Sequence, residues 1–200
     1  MSHCKVNIAP SALFLLALFV LFSSPVLLAA ILFAALCHEL GHYLVLRLMK
    51  GTVKELSITA FGAEMKVKTR TGYGGELLIT LAGPLANLAF AWCFHYFGQH
   101  SETFYVFAGA QAILCGFNLL PIKPLDGSAL LWTAIAYFTD PYTADRMIAR
   151  IGLVTALCLI GFASALFFRL GGTLFFLIAP MILLWHSAKE MGLVKCRRRR

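Results

Sequence analysis

The chain has 200 residues, 60% of them apolar and only 13% charged, against about 45–50% and about 25% in soluble domains. A mean hydropathy of +0.81 excludes a water-soluble globule, and it excludes a disordered chain, which needs low hydrophobicity and high charge. The six cysteines are scattered without a CxxC pair, which argues against a disulfide scaffold, and the net charge of +8 lies in short connecting segments and a basic tail without the interleaved aromatics of a nucleic-acid binder.

Residues 6–37 carry no charge; as one helix they would run to roughly 48 Å, well past a hydrocarbon core of about 30 Å. Ser23-Ser24-Pro25 is the natural break, since serines before a proline suit a turn into a new helix. The reading is a first membrane segment over 8–22 and a second over 25–49. A cleaved signal peptide fits the first poorly, because the apolar run resumes after the turn.

Over residues 53–71 the period changes. Ala63, Met65, Val67 and Thr69 alternate with Glu64, Lys66, Lys68 and Arg70, which predicts a strand. The stretch 53–60 is its partner and Phe61-Gly62 the turn, giving a β-hairpin at the membrane surface. Its edge around residues 64–70 is a candidate for pairing with an unwound substrate segment as an added strand; a plain amphipathic lid is the alternative.

Apolar segments return over 76–97, 103–138, 144–170 and 172–186. The stretch 103–138 is interrupted at Asn118-Leu119-Leu120-Pro121-Ile122-Lys123-Pro124-Leu125-Asp126-Gly127, where prolines and glycine cannot continue an α-helix. Non-helical backbone at membrane depth survives only where protein or a wet cavity satisfies it, so the break is read as half of a site. The expected fold is membrane all-α, a polytopic helical bundle of about six transmembrane segments with a small membrane-associated β-hairpin. With six spans the basic residues at 5, 50–70, 146–150 and 189–200 share one face, and the opposite loops carry only Arg169. The positive-inside rule then makes both termini cytoplasmic and sets the tail against anionic lipid headgroups.

The second segment contains His38-Glu39-Leu40-Gly41-His42. On a helix, residues four apart share a face, so both imidazoles can bind one metal ion, while Glu39 lies about 100° round and reaches a water beside it. The chemistry of such a site is activation of water for attack on a carbonyl, the carboxylate taking the proton. Each ionisable group inside a span costs roughly 2.5–3.5 kcal/mol on insertion scales, which argues against an accidental cluster. Catalytic zinc uses three protein ligands plus water, so a third is needed. Among the acidic residues only Asp126 joins an apolar neighbourhood to a backbone break that can aim a side chain inward. Asp126 is the choice by elimination; capping the helix at Gly127-Ser128 is its alternative role.

His38-Glu39-Leu40-Gly41-His42 paired with the distant Leu125-Asp126-Gly127 resembles the site-2 protease family of intramembrane zinc metalloproteases. Ala82-Gly83-Pro84-Leu85-Ala86-Asn87 and Asn118-x-x-Pro121-x-x-Pro124-x-Asp126 match the same pattern. The resemblance implies a single integral membrane protease domain over 1–200, with its core at 25–138 and a short basic tail at 187–200. It implies Zn2+ held by His38, His42 and Asp126, Glu39 as catalytic base, and Asn118, Pro121 and Pro124 shaping the site around the substrate. Asn87 is a further candidate for a substrate or site role, against an interhelical hydrogen bond.

Six spans with both ends cytoplasmic, the sequence Ala60-Phe61-Gly62-Ala63-Glu64 and the lack of an inserted PDZ domain also resemble the sporulation branch, whose members release a sigma factor from a membrane-associated precursor. Members of that branch commonly carry a CBS domain after the last span, a point of departure here. The expected partners are a transmembrane or membrane-associated protein substrate, a sigma factor or anti-sigma factor among them, the lipid bilayer, and an inhibitory membrane partner, with no nucleic acid. The expected location is the bacterial cell membrane. A metal transporter or sensor using the same His/His/Asp site is the competing function, and a membrane zinc protease of another lineage a third. A transporter would tolerate Glu39→Gln and tends to show inverted repeats; none is visible.

Overall fold

The computed structural model describes residues 5–59, 62–68, 71–170 and 175–191. It forms two compact units, Met1–Asn118 and Leu119–Arg200.

The first unit begins with β1 (Lys5–Ile8), α1 (Pro10–Phe22) and α2 (Pro25–Leu48). Ser24 caps α2, its Oγ accepting from the Leu27 N–H at 3.3 Å, with Pro25 at the first helical position; this is the turn that the serines and proline announce. The helix ends in a Schellman motif, in which the Gly51 N–H bonds Leu46 O at 2.9 Å and the Lys50 N–H bonds Arg47 O at 3.0 Å. Lys50 takes the left-handed position, φ 58°, usually given to glycine. Gly51 stands one residue later because a Cβ there would meet the Leu46 side chain, Cγ at 2.9 Å.

β2 (Thr52–Thr59) and β3 (Gly62–Lys68) form the expected hairpin, antiparallel with Leu56 opposite Met65 and Thr52 opposite Lys68. The register shifts between Val53 and Glu55, leaving Lys54 as the extra residue of a bulge. Phe61 of the expected turn, with Thr69 and Arg70 of the expected strand, lies outside the described residues. The sheet has a third strand that the sequence reading missed: β1 pairs parallel with β2, Val6 opposite Leu56 and Ile8 opposite Ile58. Its alternation of Lys5 and Asn7 with Val6 and Ile8 is too short to stand out beside the apolar run that follows, so the first helix starts at Pro10 and not at Ile8.

After the sheet come α3 (Tyr73–Phe97), a 3-10 turn at Gly98–His100 and α4 (Glu102–Asn118). α2 and α3 meet through small residues: a Cβ on Gly41 would fall 2.5 Å from Ala82 O and 2.8 Å from Ala86 Cβ. Such small-on-small seams let membrane helices approach closely. At the far end Phe33 of α2 packs edge-on to Phe90 and Phe94 of α3 and Phe107 of α4, with centroids 5.7–6.0 Å apart.

The second unit opens with the non-helical stretch 119–125 and continues with α5 (Asp126–Phe138), α6 (Pro141–Leu170) and α7 (Phe175–Glu190). Its buried residues include Ile122, Ile148, Ala156 and Leu183.

Among the described residues three helices are long and apolar enough to cross a membrane: Pro25–Leu48, Tyr73–Phe97 and Pro141–Arg169. The other described helices are shorter than these three, with 13 residues in α1, 17 in α4 and 13 in α5 (the two parts of the interrupted segment) and 16 in α7, about 20–26 Å each. Large side chains stand on the exterior, Trp92 76%, Ile113 75% and Phe168 83% exposed, as a lipid-facing surface requires and a soluble one avoids.

Candidate metal centre

α2 presents Ala30, Ala34, Cys37, His38, Gly41 and His42 as its buried face, a spacing of three and four that puts both histidines toward α3. His42 Nδ1 donates to the carbonyl of Ile79 on α3 at 2.8 Å. A carbonyl only accepts, so the proton sits on Nδ1 and the Nε2 lone pair is left to face inward. That Nε2 lies 3.1 Å from Nε2 of His38, the rings edge-on at 4.7 Å between centroids.

α3 makes room for the pair at Gly83, where a Cβ would collide with His42 Nε2 and stand 2.8 Å from His38 Cε1. Pro84, inside α3, has no N–H to give Thr80 O, which loosens the turn next to the Ile79 carbonyl that holds His42. Glu39 is half-buried on the adjoining flank of α2.

Asp126 is the first residue of α5, and Leu125 stands at the N-cap position; the capping role is therefore not at Asp126. The stretch before it is tightly folded. The Ile122 N–H bonds Leu120 O, the Leu125 N–H bonds Ile122 O, both at 2.8 Å, and Ser128 Oγ donates to Leu125 O at 2.7 Å. Gly127 has no space for a side chain, since a Cβ would meet Leu120 O at 2.6 Å and Leu119 O closer still.

His38, His42 and Asp126 form a group able to hold a metal ion, each offering one ligand atom, with these atoms within 4.8 Å of one another. The donor chemistry fits zinc. Two imidazoles select a borderline transition metal over Mg2+ or Ca2+, and nitrogens sharing tetrahedral Zn2+ at about 2.0–2.1 Å stand roughly 3.3 Å apart, close to the 3.1 Å seen. The bond from His42 Nδ1 to a carbonyl is the outer contact that fixes the tautomer of a ligating histidine.

The remaining expected residues have other surroundings. Asn118 ends α4 and its Nδ2 donates back to Leu114 O at 3.2 Å. Pro121 is half-buried and Pro124 exposed. Asn87 is fully buried in the seam between α3 and α2, where Nδ2 donates to Ala34 O at 3.4 Å, the interhelical bond weighed as its alternative role. Sequence reasoning missed the parts played by Ile79 and Gly83: a backbone carbonyl has no letter of its own, and a glycine's closeness to another helix shows only after folding.

No protein-family model matches the chain. In sequence it is similar to Stage IV sporulation protein FB of Bacillus subtilis (strain 168), 27% identical over 160 residues, covering 77% of this chain and 54% of that protein. The chain thus spans about half the length of this curated relative. In structure it matches the site-2 protease from Methanocaldococcus jannaschii with a TM-score of 0.68, 21% identity, and coverage of 98% of this chain and 94% of that one. The resemblance first carried by two short motifs therefore recurs in a sequence relative and over nearly the whole length of a solved structure, and the fold of this chain is the site-2 protease fold.

Proposed function

We propose that this protein is an intramembrane zinc metalloprotease of the bacterial cell membrane, hydrolysing a peptide bond within or near the membrane segment of a membrane-associated protein. The observation that carries the reading is the meeting of ligand atoms from His38, His42 and Asp126, with an acid next in sequence to the first of them. Bound Zn2+ would supply Lewis acidity to a water and to the scissile carbonyl. His38, His42 and Asp126 would hold it, the Ile79 carbonyl keeping His42 in the ligating tautomer. Glu39 takes a proton from the attacking water and returns it to the leaving amine nitrogen, so that one product gains OH and the other H. Asn118, Pro121 and Pro124 shape the stretch that leads to Asp126.

Hydrolysis needs an extended substrate backbone, whereas a membrane segment arrives as helix. β3 lies at one edge of the sheet order β1-β2-β3, where an unwound segment can add as a further strand. Similarity to a sporulation protein supports a substrate used in regulated proteolysis, a sigma-factor precursor or an anti-sigma factor, with an inhibitory membrane partner.

The test is Glu39→Gln in the full chain, expressed with a membrane-embedded candidate substrate. Cleavage should fall by roughly 10²–10⁴ while bound zinc, measured on the purified protein, stays at the wild-type amount. Cleavage that persists in the variant would overturn the mechanism, and a transporter of the same metal would tolerate the change.

A further inference from the structure

The second unit contains a charged fork that the hydrolytic mechanism does not use. Lys123, between the two prolines of the non-helical stretch, places Nζ 3.3 Å from Oδ1 of Asp145 on α6 and 3.5 Å from Oε2 of Glu190, the last residue of α7. Asp145 Oδ1 also accepts from Trp132 Nε1 of α5 at 3.0 Å. One ammonium and two carboxylates thus tie three helices to a segment of a few residues. A second tie lies beside it: at Gly152 of α6 an added Cβ would stand 3.3 Å from Pro121 O and 3.6 Å from Ile122 Cα, so α6 comes up against this segment at backbone distance.

We propose that Lys123 is a positioning residue, through which α6 and α7 hold the 119–125 segment so that Asp126 keeps its direction. The proposal rests on the reading of Asp126 as a metal ligand. A half-exposed ion pair is a weak tie by itself, and Ile122 and Leu125 are already buried, so the fork is not needed to fold the segment. Its effect is directional. Lys123 stands three residues before Asp126, and only tight turns bonded at 2.8 Å separate them. Without the ammonium, two carboxylates from different helices face a segment that carries a third, and their repulsion turns that segment away. The helices that follow the motif-bearing core thereby gain a part in shaping the site.

The test is zinc affinity of the full-length protein by chelator competition, together with hydrogen exchange of the Leu125 amide in metal-free protein. Lys123→Met should weaken zinc binding roughly three- to tenfold, the worth of one to two exposed ion pairs, and speed exchange at Leu125, while Lys123→Arg restores both. Asp145→Asn and Glu190→Gln each remove one prong, should give a smaller shift in the same direction, and cover the case in which Lys123→Met does not fold. Because the lysine acts through the ligand, Lys123→Met should add nothing in an Asp126→Asn background. Wild-type affinity in all the fork variants, or the same factor lost with and without Asp126, overturns the proposal. If Asp126→Asn loses zinc and the fork variants do not, only the positioning role fails. If Asp126→Asn binds zinc like the wild type, the metal-centre reading itself fails, and this proposal with it.

Discussion

Gly83 sets how near α3 comes to the two imidazoles, because the first atom of any side chain there would collide with His42 Nε2. Neither ring can simply turn away: His42 is tied at Nδ1 to Ile79 O, and its Nε2 already stands 3.1 Å from that of His38. Gly83→Ala should therefore weaken zinc binding, by roughly 10–100-fold if it acts like loss of an outer-shell contact, with the helices still formed by circular dichroism. Unchanged affinity would mean that α3 moves and the rings do not. This residue also marks the limit of what the sequence discloses. His38, His42 and Asp126, which stand as a group able to hold a metal ion, could be singled out in the sequence because the histidines share a local spacing and few acids stand in apolar surroundings beside a helix break. The same spacing singles out Glu39, whose role is the proposal above. The roles of Gly83 and the Ile79 carbonyl depend on how closely two helices approach, which no local pattern encodes.

At the scale of elements, helix starts and breaks were the best-announced features. Ser24-Pro25 opens α2, and the prolines at 121 and 124 separate α4 from α5. β1 was hidden, since four residues beside a long apolar run give too little alternation to register. The start of α6 allows a test by pH. Asp140 Oδ2 accepts from the Thr143 N–H at 2.8 Å, and this bond, with the Thr143 hydroxyl, holds the Asp140 carboxyl below its usual range. A carboxyl whose pKa is lowered by folding stabilises the folded form above its unfolded value and loses that effect as pH falls through its folded value. Protection of the amides in the first turn of α6, taken relative to the intrinsic exchange rate at each pH, should thus be high at neutral pH and fall in acid. Asp140→Asn should flatten that dependence; a wild-type profile in the variant would remove the cap from the account.

At the scale of the whole molecule, the lengths of the helices bear on how they meet the bilayer. α2, α3 and α6 can each cross a membrane by length and composition, but α4 has 17 residues and α5 has 13, about 26 Å and 20 Å. Taken singly, neither reaches a core of about 30 Å; taken as one interrupted crossing, they exceed it, with the proline-rich break left at membrane depth where a site can satisfy its backbone. We favour the single interrupted crossing because it puts the basic residues at 50–70, 146–150 and 189–191 on one face. The prediction is made with single cysteines introduced into a cysteine-free full chain and labelled with a membrane-impermeant thiol reagent. Positions 54, 140 and 189 should react from the cytoplasmic side only, and positions 99 and 169 from the outer side only. Labelling of position 140 from the outside would mean that the chain is back on the outer face before α6 begins, so that residues 102–138 do not make one crossing. Asp126 would then lie in the turn by which the chain comes back, and the route by which water and an unwound substrate enter would have to be drawn from that turn.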